Sequence, residues 1–117
     1  MKTIIINPYD KTITEDSYSG DYKDIYNLID CNVFTIVSID KQNDLILEDN
    51  GLLHNNQMFF FVKGIDTQAF AGKSMILSHD GDGDARGTTL TVDAVEDLIT
   101  WAPEGYVEEP QMNFVSW

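Results

Sequence analysis

The most apolar run of the chain, Met58-Phe59-Phe60-Phe61-Val62, is continuous rather than alternating and lies downstream of an acidic glycine turn, Glu48-Asp49-Asn50-Gly51. A continuous apolar run bounded by turn residues is the pattern of a strand buried on both faces. Leu45, Ile46 and Leu47 before the turn form its expected neighbour, so the two segments are expected to make the core of one sheet, with the aromatic strand central.

Around that core the pattern alternates between strand and helix signals. Thr3–Ile6 is β-branched and stops at Asn7-Pro8-Tyr9-Asp10, and Lys11–Glu15 offers a polar strand around Ile13, which together predict an opening hairpin. Asp21 precedes Tyr22, Ile25, Tyr26 and Ile29, which share one face at helical spacing. With Asp21 as cap and Asp24 in the first turn, a short amphipathic helix is predicted to about Asp30. Val33–Ile39 and Asp44–Glu48 flank the turn Asp40-Lys41-Gln42-Asn43 and predict a second hairpin. Gly64–Gly72 reads as a mixed connection, Lys73–Leu77 as a strand, and Ser78–Thr88 as the most turn-rich piece. Thr91 caps a final helix with Val92, Val95, Leu98 and Ile99 as its apolar stripe, stopped by Pro103 near Trp101.

These elements predict one α+β domain over residues 1–102. It is a mostly antiparallel sheet of about five or six strands with the two helices on one face, because hairpins dominate and consecutive strands tend to be neighbours. Residues 103–117 form an acidic and aromatic tail containing Tyr106, Phe114 and Trp117. Either the tail packs back or it stays a free segment. Edge strands and the tail aromatics make a homodimer an expectation.

The length of 117 residues suits one modest core. Charge changes the picture more: 20 acidic against 7 basic residues give a net charge of -13. A field of that sign repels nucleic-acid phosphates and anionic membranes and favours basic protein surfaces or cations. Direct nucleic-acid binding and a membrane role are therefore not expected, and solubility alone is the plainer account of the charge. The single cysteine, Cys31, has no partner for an internal disulfide, and the apolar start at Ile4-Ile5-Ile6 is too short for a signal peptide, so a cytoplasmic setting is expected.

The strongest candidate for chemistry is His79-Asp80-Gly81-Asp82-Gly83-Asp84, with carboxylates at alternate positions as in a calcium loop. Asp80, Asp82 and Asp84 would be the calcium ligands. The match then departs, because Ala85 stands where that loop needs Gly and Thr91 where it needs a bidentate Glu. A solvated acidic turn is the plainer reading. Other chemistries have weaker claims. His54 and His79 are the only histidines, Cys31 has no basic neighbour to activate it, and Gly81, Gly83 and Gly87 lack the lysine of a phosphate loop. No catalytic residue is marked out, and no cofactor beyond calcium is suggested.

Several stretches together carry a resemblance: the strand ending Ile6-Asn7-Pro8, the short helix, Leu45 through Leu52, Phe59-Phe60, and Gly72-Lys73 leading into Ile76-Leu77 and a Gly/Asp turn. Over about residues 1 to 101 the chain resembles a domain-of-unknown-function family of small phage accessory proteins, including those of cyanophages. The resemblance implies a protein acting in the host cytoplasm and carries over no catalytic residue. Two functions follow as expectations. One is a non-enzymatic protein that binds and modulates or inhibits a host protein through a basic surface, with Asp82, Asp84, Tyr106, Phe114 and Trp117 as the contact residues. The alternative is a module sequestering a small ligand or cation, calcium or a nucleotide signal, for which only Lys63, Lys73 and Arg86 are near the candidate loops.

Overall fold

The structure, a computed structural model, describes residues 1–31, 33–48 and 58–103. Its strands in chain order are β1 (Lys2–Asn7), β2 (Thr12–Ser17), β3 (Phe34–Ser38), β4 (Asn43–Glu48), β5 (Phe59–Val62), β6 (Ile65–Ala71), β7 (Ser74–His79), β8 (Ala85–Arg86) and β9 (Ile99–Trp101). The helices are α1 (Tyr22–Leu28) and α2 (Val92–Leu98). The α+β class, with its mostly antiparallel sheet and two helices, is as the sequence predicts.

The strands fall into two sheets, not one. The larger is six-stranded in the order β2-β1-β7-β4-β3, with β8 added along the end of β7, and the smaller is β6-β5-β9. Every pairing is antiparallel. The aromatic strand β5 is central, but only in the smaller sheet. Its expected neighbour β4 has β3 and β7 on its two sides, so the two apolar runs meet face to face instead of edge to edge.

Period-two alternation explains the layering. Ile4, Ile6, Leu45, Leu47 and Ile76 point from the large sheet into a core shared with Phe60, Val62 and Phe70 of the small sheet and Val95 of α2. Ile5, Ile46, Met75 and Leu77 point the other way and meet Ile25 of α1 and Ile29, the residue that caps its end. The two helices therefore lie on opposite faces, which corrects the one-face expectation. A third cluster, Phe59 with Ala69, Ala71 and Ala102, buries the outer side of the small sheet. Phe60 is 0% exposed, and at 5.8 Å its ring packs on that of Phe70.

Local chemistry sets the helix ends. The Asp21 carboxylate accepts from the N–H of Lys23 at 3.0 Å, and the Thr91 hydroxyl accepts from that of Ala94 at 3.1 Å. At the end of α1, Asp30 adopts φ 53° and the Cys31 N–H donates to the Tyr26 carbonyl. This is the closing bond of a left-handed cap usually built with glycine. Two expected elements end elsewhere. Ile65–Ala71 is a strand and not a loose connection, and α2 stops at Leu98, so Ile99–Trp101 runs extended along β5. The acidic turn at Asp49–Gly51, His54 and the tail 103–117 beyond Pro103 lie outside the described residues.

Candidate functional site

Three polar groupings converge at one end of the large sheet, where the β3–β4 turn, the end of β7 and the β7–β8 loop meet. The first is the β3–β4 turn. Asp40 Oδ1 accepts from the N–H groups of Gln42 and Asn43, each at 2.7 Å, and its Oδ2 accepts from Asn43 Nδ2 at 3.2 Å. The Gln42 N–H is the main reason that the Asp40 carboxyl is held below its ordinary range. Asn43 is buried and its Oδ1 accepts from Thr88 Oγ1 at 2.8 Å, which ties the turn to the segment leading into α2.

The second grouping is His79 with Asp44, Nδ1 to Oδ2 at 2.7 Å. Asp44 lies opposite Leu77 across the β4–β7 ladder, so His79 is its diagonal neighbour on the α1 face. The carboxylate fixes the imidazole and leaves Nε2 as the nitrogen open to solvent or ligand. No Ser, Thr or Cys among the described residues is bonded to His79, and the adjacent Ser78 hydroxyl donates instead to the Gln42 carbonyl at 2.8 Å. The pair has an orienting carboxylate without a nucleophile beside it.

The third grouping is the Asp80 loop. Asp80 Oδ1 accepts from the N–H groups of Asp82 and Asp84 at 2.9 and 3.0 Å, while Oδ2 meets Arg86 Nη2 at 2.6 Å. The Asp84 N–H is the largest of the contacts that hold the Asp80 carboxyl below its ordinary range. Gly83 closes the loop at φ 85°, where a side chain would be strained. Both Asp80 oxygens thus serve their own loop, whereas Asp82 and Asp84 project into solvent. Among the described residues no three His, Cys, Asp or Glu side chains form a group able to hold a metal ion.

Lys41, Gln42, His79, Asp80, Gly81, Asp82 and Gly83 border an open concavity of about 710 Å³ over this region. No buried side-chain nitrogen or oxygen among the described residues lacks a hydrogen-bond partner, so the polar network under it is internally satisfied. The basic residues expected near the loops do not gather here. Lys73 pairs with Asp30 at 2.9 Å, Arg86 is taken by Asp80, and Lys63 follows β5 in the other sheet. Cys31 is buried, and burial, with Glu48 and Asp30 adding to it, pushes its thiol up and away from reactivity. Tyr106, Phe114 and Trp117 lie outside the described residues.

Sequence reasoning singled out His79 and missed Asp44, 35 positions away. The β4–β7 register would have revealed the pair, but nothing local to either residue encodes it. Compared with protein-family models, curated proteins and solved structures, the chain matches none. Among the described residues, no helix is long and apolar enough to cross a membrane.

Proposed function

We propose that this chain is a small acidic phage accessory protein, non-enzymatic, that binds and modulates a host protein by docking on a basic surface. The observation that carries the reading is the number of uncompensated carboxylates. Asp16, Asp82, Asp84, Asp93, Glu96 and Asp97 are all exposed, and none has an ion pair among the described residues. They concentrate where α2 packs beside β2 and at the tip of the β7–β8 loop. A broad field of one sign accelerates encounter with a complementary surface, and salt screens it over about 10 Å at about 0.1 M.

Affinity capture from host lysate at low and high salt, with the full chain and the Asp82→Asn/Asp84→Asn variant, tests this. A host protein retained at low salt, released by salt, and associating more slowly with the variant is the expected result. Recovery of a cation or small molecule with no protein would replace this reading with the sequestering one, whose place would be the concavity beside Lys41 and His79. Retention indifferent to salt would remove charge as the basis of recognition.

A further inference from the structure

The acidic field leaves one surface out. Strand β3 is last in the order of the large sheet, and its outer edge has no strand partner among the described residues. Its residues, Phe-Thr-Ile-Val-Ser, carry no charge in a chain of net charge -13. Ile36 is 57% exposed, and Val33 just before the strand is 51% exposed. The α1 face beside this edge continues the apolar surface. The Tyr26 ring lies 5.7 Å from Phe34 and 6.2 Å from Tyr22, which is itself 56% exposed.

Geometry explains the exposure. Helix α1 has 7 residues. It is therefore about 10 Å long and about 10 Å across, whereas four spacings make the five-strand path of the sheet roughly 19 Å wide. The helix sits on Ile5, Ile46 and Met75 and does not reach Ile36.

We propose that β3 pairs with β3 of a second copy of this chain, antiparallel across a two-fold axis, joining the two large sheets into one. Two observations favour a copy over another partner. The strand is self-complementary about Ile36: the two-fold register sets Ile36 against Ile36, Thr35 against Val37 and Phe34 against Ser38. A basic partner of the kind that suits the acidic surface finds no carboxylate on Phe34–Ser38. An isologous contact of this kind closes at two copies. It also satisfies the outward amides and carbonyls of an otherwise open edge.

The β3 contact is separate from the proposed host contact, and the two respond to salt in opposite directions. Docking on a basic partner weakens as salt rises, whereas pairing of two chains of charge -13 across a neutral edge strengthens as their repulsion is screened. Sedimentation equilibrium of the full chain between about 0.05 M and about 0.5 M salt reads this directly. The expected result is a mass of twice 13.2 kDa, favoured at the higher salt. Ile36→Lys places two lysines opposite each other, and Ser38→Lys adds charge to the same strand where a side chain is already exposed. Each should raise the dissociation constant by about tenfold or more, with far-ultraviolet circular dichroism unchanged. Thr14→Lys on β2 makes the same change of net charge and should leave it unaltered. A 13.2 kDa species at every salt, or a dimer that survives both β3 variants, would overturn the proposal.

Discussion

Strand β2 closes one edge of the large sheet with Glu15 and Asp16 exposed and packs beside α2, whose outward residues are again acidic: Asp93, Glu96 and Asp97. Strand β3 closes the other edge with five uncharged residues, and the helix on its side packs on Phe34 through Tyr26 but leaves Ile36 exposed. The outward backbone of an edge strand is a template for further pairing, and carboxylates on the strand are a common way of blunting it. One edge of this sheet is blunted and the other is not. A net charge of -13 therefore does not describe the surface evenly, and the two edges are suited to different kinds of association.

The largest expected effects come from loosening the helix that flanks each edge. Ile25→Ala removes the buried residue that seats α1 on Ile5, Ile46 and Met75 and should cost about 2–5 kcal/mol. Val95→Ala under α2, which deletes two carbon atoms from the core shared with Ile4 and Ile6, should cost about 2 kcal/mol. Urea unfolding of both measures the difference. Equal costs would mean that the two flanks are held alike.

Gly87→Ala comes next. A Cβ at Gly87 would lie 2.9 Å from the Lys2 backbone nitrogen, in a segment where the Thr88 N–H donates to the Lys2 carbonyl at 2.9 Å. The β1 backbone has little room to move between β2 and β7, so a loss of about 1–3 kcal/mol is expected. It should be accompanied by faster amide exchange along β1 and β2 but not along β3. An unchanged melting temperature would show that this connection gives way freely.

A smaller effect distinguishes the β3 side by pH. The folded pKa of Asp40 lies below its unfolded value, so its contribution to stability is full above about pH 4 and is lost as pH falls through the depressed folded value. Asp40→Asn should lower the urea midpoint at neutral pH and flatten its decline between about pH 4 and about pH 2. The alkaline side has the opposite sign. Burial raises the Tyr18 phenol above its ordinary value, so stability is full below about pH 10 and lost as pH rises beyond it. The smallest change in stability is expected on β2. Lys2 and Glu15 are 3.8 Å apart with Lys2 half-buried and Glu15 exposed, so Glu15→Gln with Asp16→Asn should shift stability by about 0.5 kcal/mol or less. If those charges act only as blunting devices, the double variant should instead show new self-association through β2 by light scattering.

Local signals carried much of this fold. Asp21 and Thr91 cap the helices that their side chains predict, and the β1–β2 and β3–β4 hairpins follow from β-branched runs around Asn7–Asp10 and Asp40–Asn43. What stayed hidden is nonlocal. Leu98 and Ile99 continue the apolar stripe of Val92 and Val95, yet Ile99 is extended because it pairs with Val62, and the Leu98 carbonyl accepts from the Lys63 N–H at 2.8 Å. Ile65–Ala71 lacked clean alternation because Ala69, Phe70 and Ala71 are buried on both faces of β6. The division into two sheets, the helices on opposite faces and the His79–Asp44 pair all depend on β7 inserting between β1 and β4, which no local pattern encodes. The Asp80 loop was visible as a motif, but its carboxylate proved to be directed at the loop's own amides and Arg86.

The contrast between the edges is tested most directly by hydrogen exchange of the full chain at low and high protein concentration in about 0.5 M salt, where repulsion between copies is screened to within a few ångströms. The account predicts that the outward-facing amides of Phe34–Ser38 slow as concentration rises, while those of Thr12–Ser17 exchange at the same rate throughout. Slowing confined to β2, or no dependence on concentration at either edge, would contradict it.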